Sequence, residues 1–415
     1  MSTYDIVVIG GGASGMIAAI AAAQTDASLK VAIVERNSRV GKKILTTGNG
    51  RCNLTNTDID ISRYHGENPD FARAALSEVG YDATMAMFSS FGLYPKTEDG
   101  KVYPHSLQAS SVLDMLRMEL KRRSVDVICD FFCTDVTKGK NTFCVSDGST
   151  NIYAKRVIVC VGGCASPKCG TDGSSYRILQ KFGHRLTALY PSLVQLKSDN
   201  ASLKAMKGVK SDALVSIFVD NRFIKSDYGE FLFTDYGISG PPVFQLSGIA
   251  SKAVANGKKV TVKADLMTNI GENELYFLLL ARNKDVPVED FLVGMINKLC
   301  ARQLLKSVGV EKFNTDASVL TDKMLKNLAH GIKNFTLNIT GTNGWNMAQV
   351  TAGGISTEEF NPSTMQSKLV SGLYAAGELL DIDGDCGGFN LQWAWSSGTV
   401  AGENCAKSLV RKDKK

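Results

Sequence analysis

Short apolar runs separated by glycine-rich turns characterise the first forty residues. Four consecutive apolar residues follow Asp5 and predict a buried strand over residues 4–9, and an alanine-rich run predicts a helix over 16–23. A second apolar run over 30–34 predicts another strand, which ends at Glu35. A strand, a glycine turn, a helix and a strand in this order are typical of a βαβ unit with parallel strands.

The apolar pattern also divides the rest of the chain. Residues 156–161 and 372–376 predict two more buried strands, and a helix is expected from about Gly387 to Leu409. The middle of the chain has a different pattern. It predicts strands over 214–218, 230–233 and 260–264, followed by helices over 274–281, 288–305 and 323–330.

These elements predict an α/β fold with a two-part Rossmann-like domain, residues 1–190 plus 345–415, interrupted by an inserted domain, residues 191–344. Within the insert, 191–270 and 331–344 are expected to be β-rich and 271–330 helical. Such an insert can cover a cofactor and shape a substrate pocket, or it can serve stability alone.

Composition narrows the class of protein. Of the 415 residues, 44% are hydrophobic and 21% charged, so the chain can build a large core and general disorder is excluded. No apolar run reaches the roughly 18–20 residues of a membrane helix, and no secretory signal precedes the first strand. With its ten cysteines expected as free thiols, we expect a cytoplasmic protein with no membrane partner. The sequence does not indicate an oligomeric state.

The net charge of +6 does not point to nucleic acid. Half of the excess lies in the last five residues, which we expect to form a solvated tail. A second, small basic cluster is interrupted by two aspartates and consists of Lys197, Lys204, Lys207 and Lys210. A small-molecule substrate is therefore expected, and a nucleic-acid partner is disfavoured.

The glycine turn after the first strand matches the dinucleotide-binding fingerprint. Gly10, Gly12 and Gly15 form a GxGxxG between a strand and a helix, and Glu35 stands 20 residues after the last glycine. In this pattern the glycines permit a tight turn, close approach to a pyrophosphate and close helix packing. Glu35 can accept hydrogen bonds from ribose hydroxyls, which favours FAD or NAD over NADP, whereas Arg36 is a possible contact for an NADP 2′-phosphate.

Three further segments favour FAD over NAD. A loop over 41–56 is rich in Gly, Asn and cations, which suits a phosphate or an electron-rich ring. The strand at 156–161 ends in paired glycines, and the strand at 372–376 ends in Gly-Glu before an acidic loop over 381–385. An acid there can bind a ribityl hydroxyl, and the next helix N-terminus can stabilise negative charge on a flavin. Segments near both ends of the chain are therefore expected to bind the cofactor, as the length of FAD requires.

Several sequence strings carry a resemblance to a known family. They are GGGASG, GKKILTTGNGRCNLTN, VYPHSLQASSVLDML, FLFTDYGISGP, and QVTAGGIS followed by TMQSKLVSGLYAAGELLDIDGDCGGFNLQWAWSSG. Over nearly its whole length the chain resembles the HI0933-like (YhiN-like) bacterial flavoproteins, which include aminoacetone oxidases and reductases of bile-acid C=C bonds. The resemblance implies an FAD-dependent oxidoreductase with a non-covalent FAD in a two-part Rossmann-like domain.

The motifs and the resemblance together give a set of cofactor-binding candidates. These are Gly10, Gly12, Ala13, Ser14, Gly15, Glu35, Arg36, Lys42, Asn49, Gly50, Arg51, Cys52, Asn53, Cys133, Gly162, Gly163, Gly377, Glu378, Gly388, Asn390, Leu391 and Gln392. Cys133 is expected to approach the adenine through its backbone.

No catalytic acid or base is assigned. Arg51 is an electrostatic candidate, and the pocket candidates are Tyr103, His105, Asp235, Tyr236 and Trp393. The chain departs from the family pattern at Val161, Asp235 and His105.

Cysteine chemistry is not favoured by the spacing. No Cys-x-x-Cys pair occurs, which disfavours a disulfide reductase, and with four histidines in the chain no metal is expected. Arg51 can lower the pKa of the neighbouring Cys52 thiol, but a packing role for Cys52 is the preferred interpretation.

Three functions remain as hypotheses. The first is an oxidase that removes a hydride from a small amine, of the aminoacetone oxidase type. The alternative is a reductase that passes hydride from NAD(P)H to a C=C bond; because the sequence has one complete GxGxxG, NAD(P)H would bind transiently. The third is a flavin-binding protein that is non-catalytic or associated with RNA.

Overall fold

The computed structural model describes residues 3–410, so the basic tail predicted at 411–415 lies outside the described residues. In chain order the strands are β1 (Thr3–Ile9), β2 (Val31–Val34), β3 (Thr55–Asn56), β4 (Tyr64–His65), β5 (Pro95–Glu98), β6 (Lys101–Pro104), β7 (Asp126–Ile128), β8 (Asp135–Lys138), β9 (Phe143–Ser146), β10 (Asn151–Val159), β11 (Tyr190–Ser192), β12 (Leu196–Ser198), β13 (Lys210–Val219), β14 (Arg222–Phe233), β15 (Gly237–Ser239), β16 (Val260–Asp265), β17 (Phe335–Thr342), β18 (Val350–Ala352), β19 (Leu373–Ala375) and β20 (Asp383–Gly384).

In chain order the helices are α1 (Ala13–Thr25), α2 (Ala72–Glu78), α3 (Tyr81–Ser90), α4 (Ala109–Arg122), α5 (Tyr176–Gln180), α6 (Pro241–Ala255), α7 (Glu272–Ala281), α8 (Lys298–Ser307), α9 (Asp322–Lys333) and α10 (Phe389–Val410). The sequence analysis predicts helices at α1, α7, α8, α9 and α10, whereas α2 to α6 lie in segments for which it predicts none.

One helix prediction was wrong. Residues 288–305 form a short 3-10 turn at Val288–Asp290, an irregular stretch, and only then α8. Gly294 adopts a φ of +85°, which breaks helical geometry, and the Asn297 side chain accepts a hydrogen bond from the Leu299 N–H at 2.9 Å. This side-chain cap starts a new helix after the break.

The described residues up to Tyr190 and from Gln349 onward form one compact unit. Its main sheet has the strand order β7-β2-β1-β10-β9-β8, with β19 also paired to β10. The pairs joining β7, β2, β1, β10 and β19 are parallel, whereas β9 runs antiparallel to β10. All four residues of β2 are buried, as expected for a strand covered on both faces. The predicted α/β class with a Rossmann-like parallel sheet is confirmed.

Helices α1 and α10 pack against each other through small residues. A Cβ at Gly398 would collide with the backbone of Ser14, and a Cβ at Gly402 would collide with the carbonyl oxygen of Ala18. The two glycines are one turn apart on α10, so they let the helix backbones approach closely. This packing holds the last helix of the chain against the helix that follows the glycine turn.

Residues Pro191–Ala348 form the second compact unit. Its strands close into an antiparallel barrel in the order β12-β15-β14-β13-β16-β17. Alternate residues of β13, among them Val215 and Ile217, point into a separate core that also includes Phe231 and Phe233 and buried residues of α7, α8 and α9.

Candidate functional site

The turn between β1 and α1 gives its three glycines different roles. Gly10 has a φ of +101°, and a Cβ there would collide with the Cys160 carbonyl; a Cβ at Gly15 would collide with the Gly10 carbonyl. A Cβ at Gly12, in contrast, would meet no atom within 4 Å. Gly12 immediately precedes α1, which opens with Ala13 and Ser14. Open space therefore lies beside the free N–H groups of a helix N-terminus, which is the geometry that accepts a pyrophosphate.

Glu35 follows β2 and is buried. Its Oε2 accepts a hydrogen bond from the Gly11 N–H at 2.8 Å, and its Oε1 accepts one from the Asn37 N–H at 2.9 Å. The carboxylate thus ties the end of β2 to the glycine turn. It stands where the fingerprint places a ribose contact.

Two other nucleotide-end candidates flank this carboxylate. Arg36 forms an ion pair with Asp172 at 3.2 Å and lies over the Phe132 ring. Cys133 is buried in the loop after β7, and burial raises the pKa of its thiol to about 12. A thiol with that pKa is neutral at physiological pH.

The loop over 41–56 contributes a cation that the sequence analysis did not select. Lys42 is exposed, whereas Lys43 forms an ion pair with Glu378 at 2.6 Å. Asn49 and Gly50 lie on the exposed side of a short 3-10 segment, Ile44–Gly50. The signal for Lys43 was present as the second of two adjacent lysines, but the sequence alone does not indicate which one turns inward.

The end of this loop is buried. Burial raises the pKa of the Cys52 thiol to about 12, so a packing role fits and an activated thiolate does not. Asn53 is buried beside Gly388, and its side-chain Oδ1 has no hydrogen-bond partner among the described residues. A buried amide oxygen without a partner costs free energy, so it points to a hydrogen-bond donor that this site is built to receive.

Glu378 connects three separate segments of the chain. Its Oε2 accepts from Lys43, and its Oε1 accepts from the Thr351 N–H at 2.9 Å. The Thr351 Oγ1 in turn accepts hydrogen bonds from the N–H groups of Cys164 at 2.8 Å and Ala165 at 3.0 Å. Gly162 and Gly163 lie directly before these residues, and a Cβ at Gly163 would collide with Thr351. The structure therefore brings together the lysine loop, the paired glycines and the Gly377-Glu378 pair. Thr351 was missed, although the TAGG string contains it.

The first turn of α10 has mainly positioning roles. The Asn390 side chain accepts from the Gly384 N–H and donates to the Gly384 carbonyl, both at 2.8 Å. Gln392 is fully buried and donates to the Val79 carbonyl and to Thr84 Oγ1, each at 2.8 Å. Leu391 packs against the same core.

Trp393 is a core residue and not a pocket residue. It is fully covered, and its Nε1 donates to the Gly377 carbonyl at 3.1 Å. The large ring finds its space in the core because α10 is buried against α1 and α2 over most of its length.

The remaining pocket candidates belong to different elements of the two units. The Arg51 guanidinium lies 4.5 Å from the centre of the Tyr103 ring and pairs with Glu98 at 3.4 Å. His105 is exposed beside the exposed Tyr94. The other two candidates, Asp235 and Tyr236, are exposed on the turn between β14 and β15, where Asp235 pairs with Lys207 at 2.7 Å.

The acidic loop holds a titratable group that the sequence analysis did not single out. Asp383 is 5% exposed and pairs through its backbone with His65. The pKa of Asp383 is raised to about 7, mainly by burial; Asp381, Glu378 and Asp385 contribute to this rise and His65 opposes it. The available signal was the alternation of aspartates at 381, 383 and 385, since alternate residues of a strand share a face.

Tyr176 adds a second buried polar group without a partner. Its hydroxyl has no hydrogen-bond partner among the described residues. Burial raises the pKa of Tyr176 well above its usual value, with smaller contributions from Glu378, Cys164 and Asp381. The hydroxyl is therefore neutral and remains a donor near Glu378.

Residues 3–410 show neither a metal-binding cluster nor a membrane-spanning helix. No group of three or more His, Cys, Asp and Glu in this range is arranged to hold a metal ion. None of the helices in the same range has the length and apolar character needed to cross a bilayer.

These observations fit FAD. The open space at Gly12 suits a pyrophosphate, and Glu35 is placed for a ribose. The unpartnered Asn53 oxygen beside Gly388, together with the Lys43–Glu378 pair, marks a polar site at the other end. The segments expected to bind a dinucleotide therefore carry donors and acceptors that suit one.

Comparison with known proteins identifies the family. The family model described as the HI0933-like protein Rossmann domain matches residues 4–404. The chain belongs to the HI0933-like family. The resemblance seen in the motifs is confirmed, and the protein is an FAD-dependent oxidoreductase.

Individual relatives of this HI0933-like protein differ in their named substrates. This chain is 41% identical over 405 residues to a 3-dehydro-bile acid delta(4,6)-reductase of Clostridium scindens. The match covers 97% of this chain and 99% of the relative. The chain is 29% identical over 419 residues to a ribosomal RNA dihydrouridine synthase of Haemophilus influenzae, covering 99% of this chain and all of the relative. The fold is similar to that of a flavocytochrome c3 fumarate reductase, with a TM-score of 0.51 and 16% identity, covering 98% of this chain and 78% of the other.

Proposed function

We propose that this protein is a flavin-dependent reductase of a C=C bond conjugated to a carbonyl group, in a small, largely apolar substrate of the steroid type. The observation that carries the proposal is the 41% identity, over 97% of the chain, to a 3-dehydro-bile acid delta(4,6)-reductase. The name of the second relative supports the same bond chemistry, since dihydrouridine is uridine with its C5–C6 double bond reduced.

In this proposal the chain holds FAD along the route described above. The N-terminus of α1 binds the pyrophosphate beside Gly12, Glu35 binds the ribose, and Glu378 binds the ribityl chain with Lys43 beside it. Asn53 and the segment before α10 contact the flavin ring. Bound FAD supplies the hydride-transfer chemistry, and NAD(P)H is the proposed transient donor.

RNA is the second candidate substrate, because relatives named for RNA match almost the whole chain. We favour a small molecule because the basic cluster at 197–210 is partly neutralised. Lys207 pairs with Asp235 at 2.7 Å, and Lys210 pairs with Glu230 at 2.9 Å. Cations already paired on the protein contribute less to phosphate binding. Small-amine oxidation, the first hypothesis from the resemblance, ranks below both because neither relative named above is an amine oxidase.

Product analysis separates these candidates. The holoenzyme is incubated without oxygen with NADH or NADPH and either a 3-oxo-delta(4,6) steroid or a uridine-containing ribosomal RNA fragment. We expect the steroid to gain two hydrogen atoms by mass spectrometry while the RNA stays unchanged. Dihydrouridine in the RNA and an unchanged steroid would reverse the assignment.

A further inference from the structure

A ribbon of ionisable residues runs through the first unit where β4 and β20 pair. The register sets Asp383 opposite His65 and Gly384 opposite Tyr64. Contacts continue on either side, since His65 Nε2 lies 2.7 Å from Asp385 Oδ1 and the Glu67 N–H donates to Asp381 Oδ2 at 3.1 Å. Carboxyl groups at alternate positions are thereby held along one short ribbon.

Exposure changes across this ribbon. Asp381, Asp383 and Asp385 are each 5% exposed or less, whereas the His65 side chain is 46% exposed. His65 therefore has one side in water while bonding to one buried carboxylate and standing opposite another. This arrangement connects buried carboxyl groups to solvent through an imidazole, a group that can both accept and donate a proton.

The buried end of the ribbon adjoins the proposed flavin site. Asn390, in the first turn of α10, holds the backbone of Gly384 with two hydrogen bonds of 2.8 Å. The negative charge of Glu378 contributes to the raised pKa of Asp383. The ribbon is thus held to the start of α10 by Asn390. The charge of Glu378, the carboxylate proposed to bind the ribityl chain, acts on Asp383.

We propose that Asp383 holds the exchangeable proton of the flavin site and that His65, with Asp385, returns this proton from solvent. The inference rests on the proposed reductase function. Saturation of a C=C bond adds one hydride and one proton; NAD(P)H gives up the hydride and becomes NAD(P)⁺, and the proton is drawn from water. In each turnover the Asp383 carboxyl loses one proton to the reaction and regains one through His65.

The raised pKa of Asp383, about 7 and caused mainly by burial, supports this assignment because such a carboxyl can both give up and regain a proton near neutral pH. The charged and titratable groups that act on Asp383 are His65 from the paired strand, Asp381 and Asp385 from its own segment, and Glu378 from Gly377–Leu379. Arg63 and Tyr64 act on Asp385, and the Glu67 N–H donates to Asp381.

Infrared titration of the FAD-loaded protein tests the proposal. We expect a protonated-carboxyl band that disappears with a midpoint near pH 7 and that is absent in Asp383→Asn. The control Asp114→Asn, an exposed aspartate on α4 whose side chain is 64% exposed, should keep the band. Asp383→Asn should also remove the limb near pH 7 from the pH profile of kcat.

Variants of two neighbouring residues test the assignment even if the Asp383→Asn protein does not fold. His65→Gln removes a group that lowers the pKa of Asp383, so the midpoint should move to higher pH; Asp381→Asn removes a like charge, so it should move to lower pH. Absence of the band in the wild type, or its persistence in Asp383→Asn, would overturn the proposal. A protein with the band but no C=C reduction would instead refute the proposed function.

Discussion

Glu35 and Glu378 lie at opposite ends of the proposed cofactor site, and both are tied into the protein by hydrogen bonds. Glu35 accepts from backbone N–H groups of the glycine turn, whereas Glu378 accepts from Lys43 and from the Thr351 N–H. Each carboxylate is therefore held in place before any ligand binds. Preorganised acceptors of this kind lower the cost of ordering a long cofactor.

Glu35→Gln should weaken FAD binding about 10- to 100-fold, since a hydrogen bond to a charged group contributes about 1.5–3 kcal/mol. The glutamine keeps one acceptor oxygen for the Gly11 N–H, so the fold should persist. Fluorescence titration of apoprotein with FAD measures the change. Glu403→Gln, which alters a partly exposed carboxylate paired with Lys407, is the control and should bind FAD as the wild type does.

His184 is a residue whose role is structural. Its Nδ1 lies 3.0 Å from Glu359 Oε2 and its Nε2 lies 3.0 Å from Ser367 Oγ, an arrangement that resembles a hydrolytic triad. The Ser367 Oγ, however, already accepts hydrogen bonds from the N–H groups of Leu369 and Val370. A hydroxyl whose lone pairs are both used is not a free nucleophile.

Because His184 is buried, we expect the free energy of unfolding to fall at acid pH through the protonation of this residue. Burial lowers the pKa of His184, although Glu359 opposes the shift, so the unfolded chain binds a proton that the folded chain resists. This contribution to stability is present above about pH 6.5 and is lost as pH falls through the lowered pKa. Denaturant titrations at pH 7.5 and 5 should show a smaller difference for His184→Gln than for the wild type. His330→Gln, at a histidine whose side chain is 62% exposed, should keep the wild-type difference; an unchanged difference in His184→Gln would contradict this account.

At the scale of elements, the packing of α10 on α1 links the two sequence-distant parts of the first unit. Gly398 and Gly402 permit this contact because there is no space for a Cβ at either position. Gly402→Ala should lower the free energy of unfolding by about 1–3 kcal/mol, as overpacking does. Gly341→Ala on β17 meets no atom within 4 Å and should change stability little. Thermal unfolding of both variants tests this, and equal stabilities would contradict it.

The sequence predicts the parts of this site that depend on local spacing, but not the parts that depend on contacts between distant segments. The β1–α1 turn and Glu35 follow from local spacing, so their positions were predictable. The burial of Trp393 was not predictable, because helix periodicity does not reveal which side of α10 is covered. The break at 288–297 was not predictable either, because periodicity does not reveal where a side-chain cap restarts a helix. Asp383 and His65 meet only through strand pairing between segments about 320 residues apart, which a single sequence does not encode locally.

At the scale of the whole molecule, two units have separate cores. The core of Pro191–Ala348 is drawn from the barrel and from α6 to α9. Because this segment is continuous in the chain, we expect residues 191–348 expressed alone to unfold cooperatively and to bind no FAD. Circular dichroism and an FAD titration measure both properties. An unfolded fragment would show that the barrel depends on the rest of the chain.

In the proposed function, a flavin in this protein carries hydride from NAD(P)H to a conjugated C=C bond. The most direct test is the visible spectrum of the FAD-loaded protein without oxygen, first with NADH or NADPH and then with a 3-oxo-delta(4,6) steroid. We predict that the flavin band bleaches with the nicotinamide and returns when the steroid is added. A band that stays oxidised with both nicotinamides, or that bleaches and is not restored by the steroid, would contradict the claim.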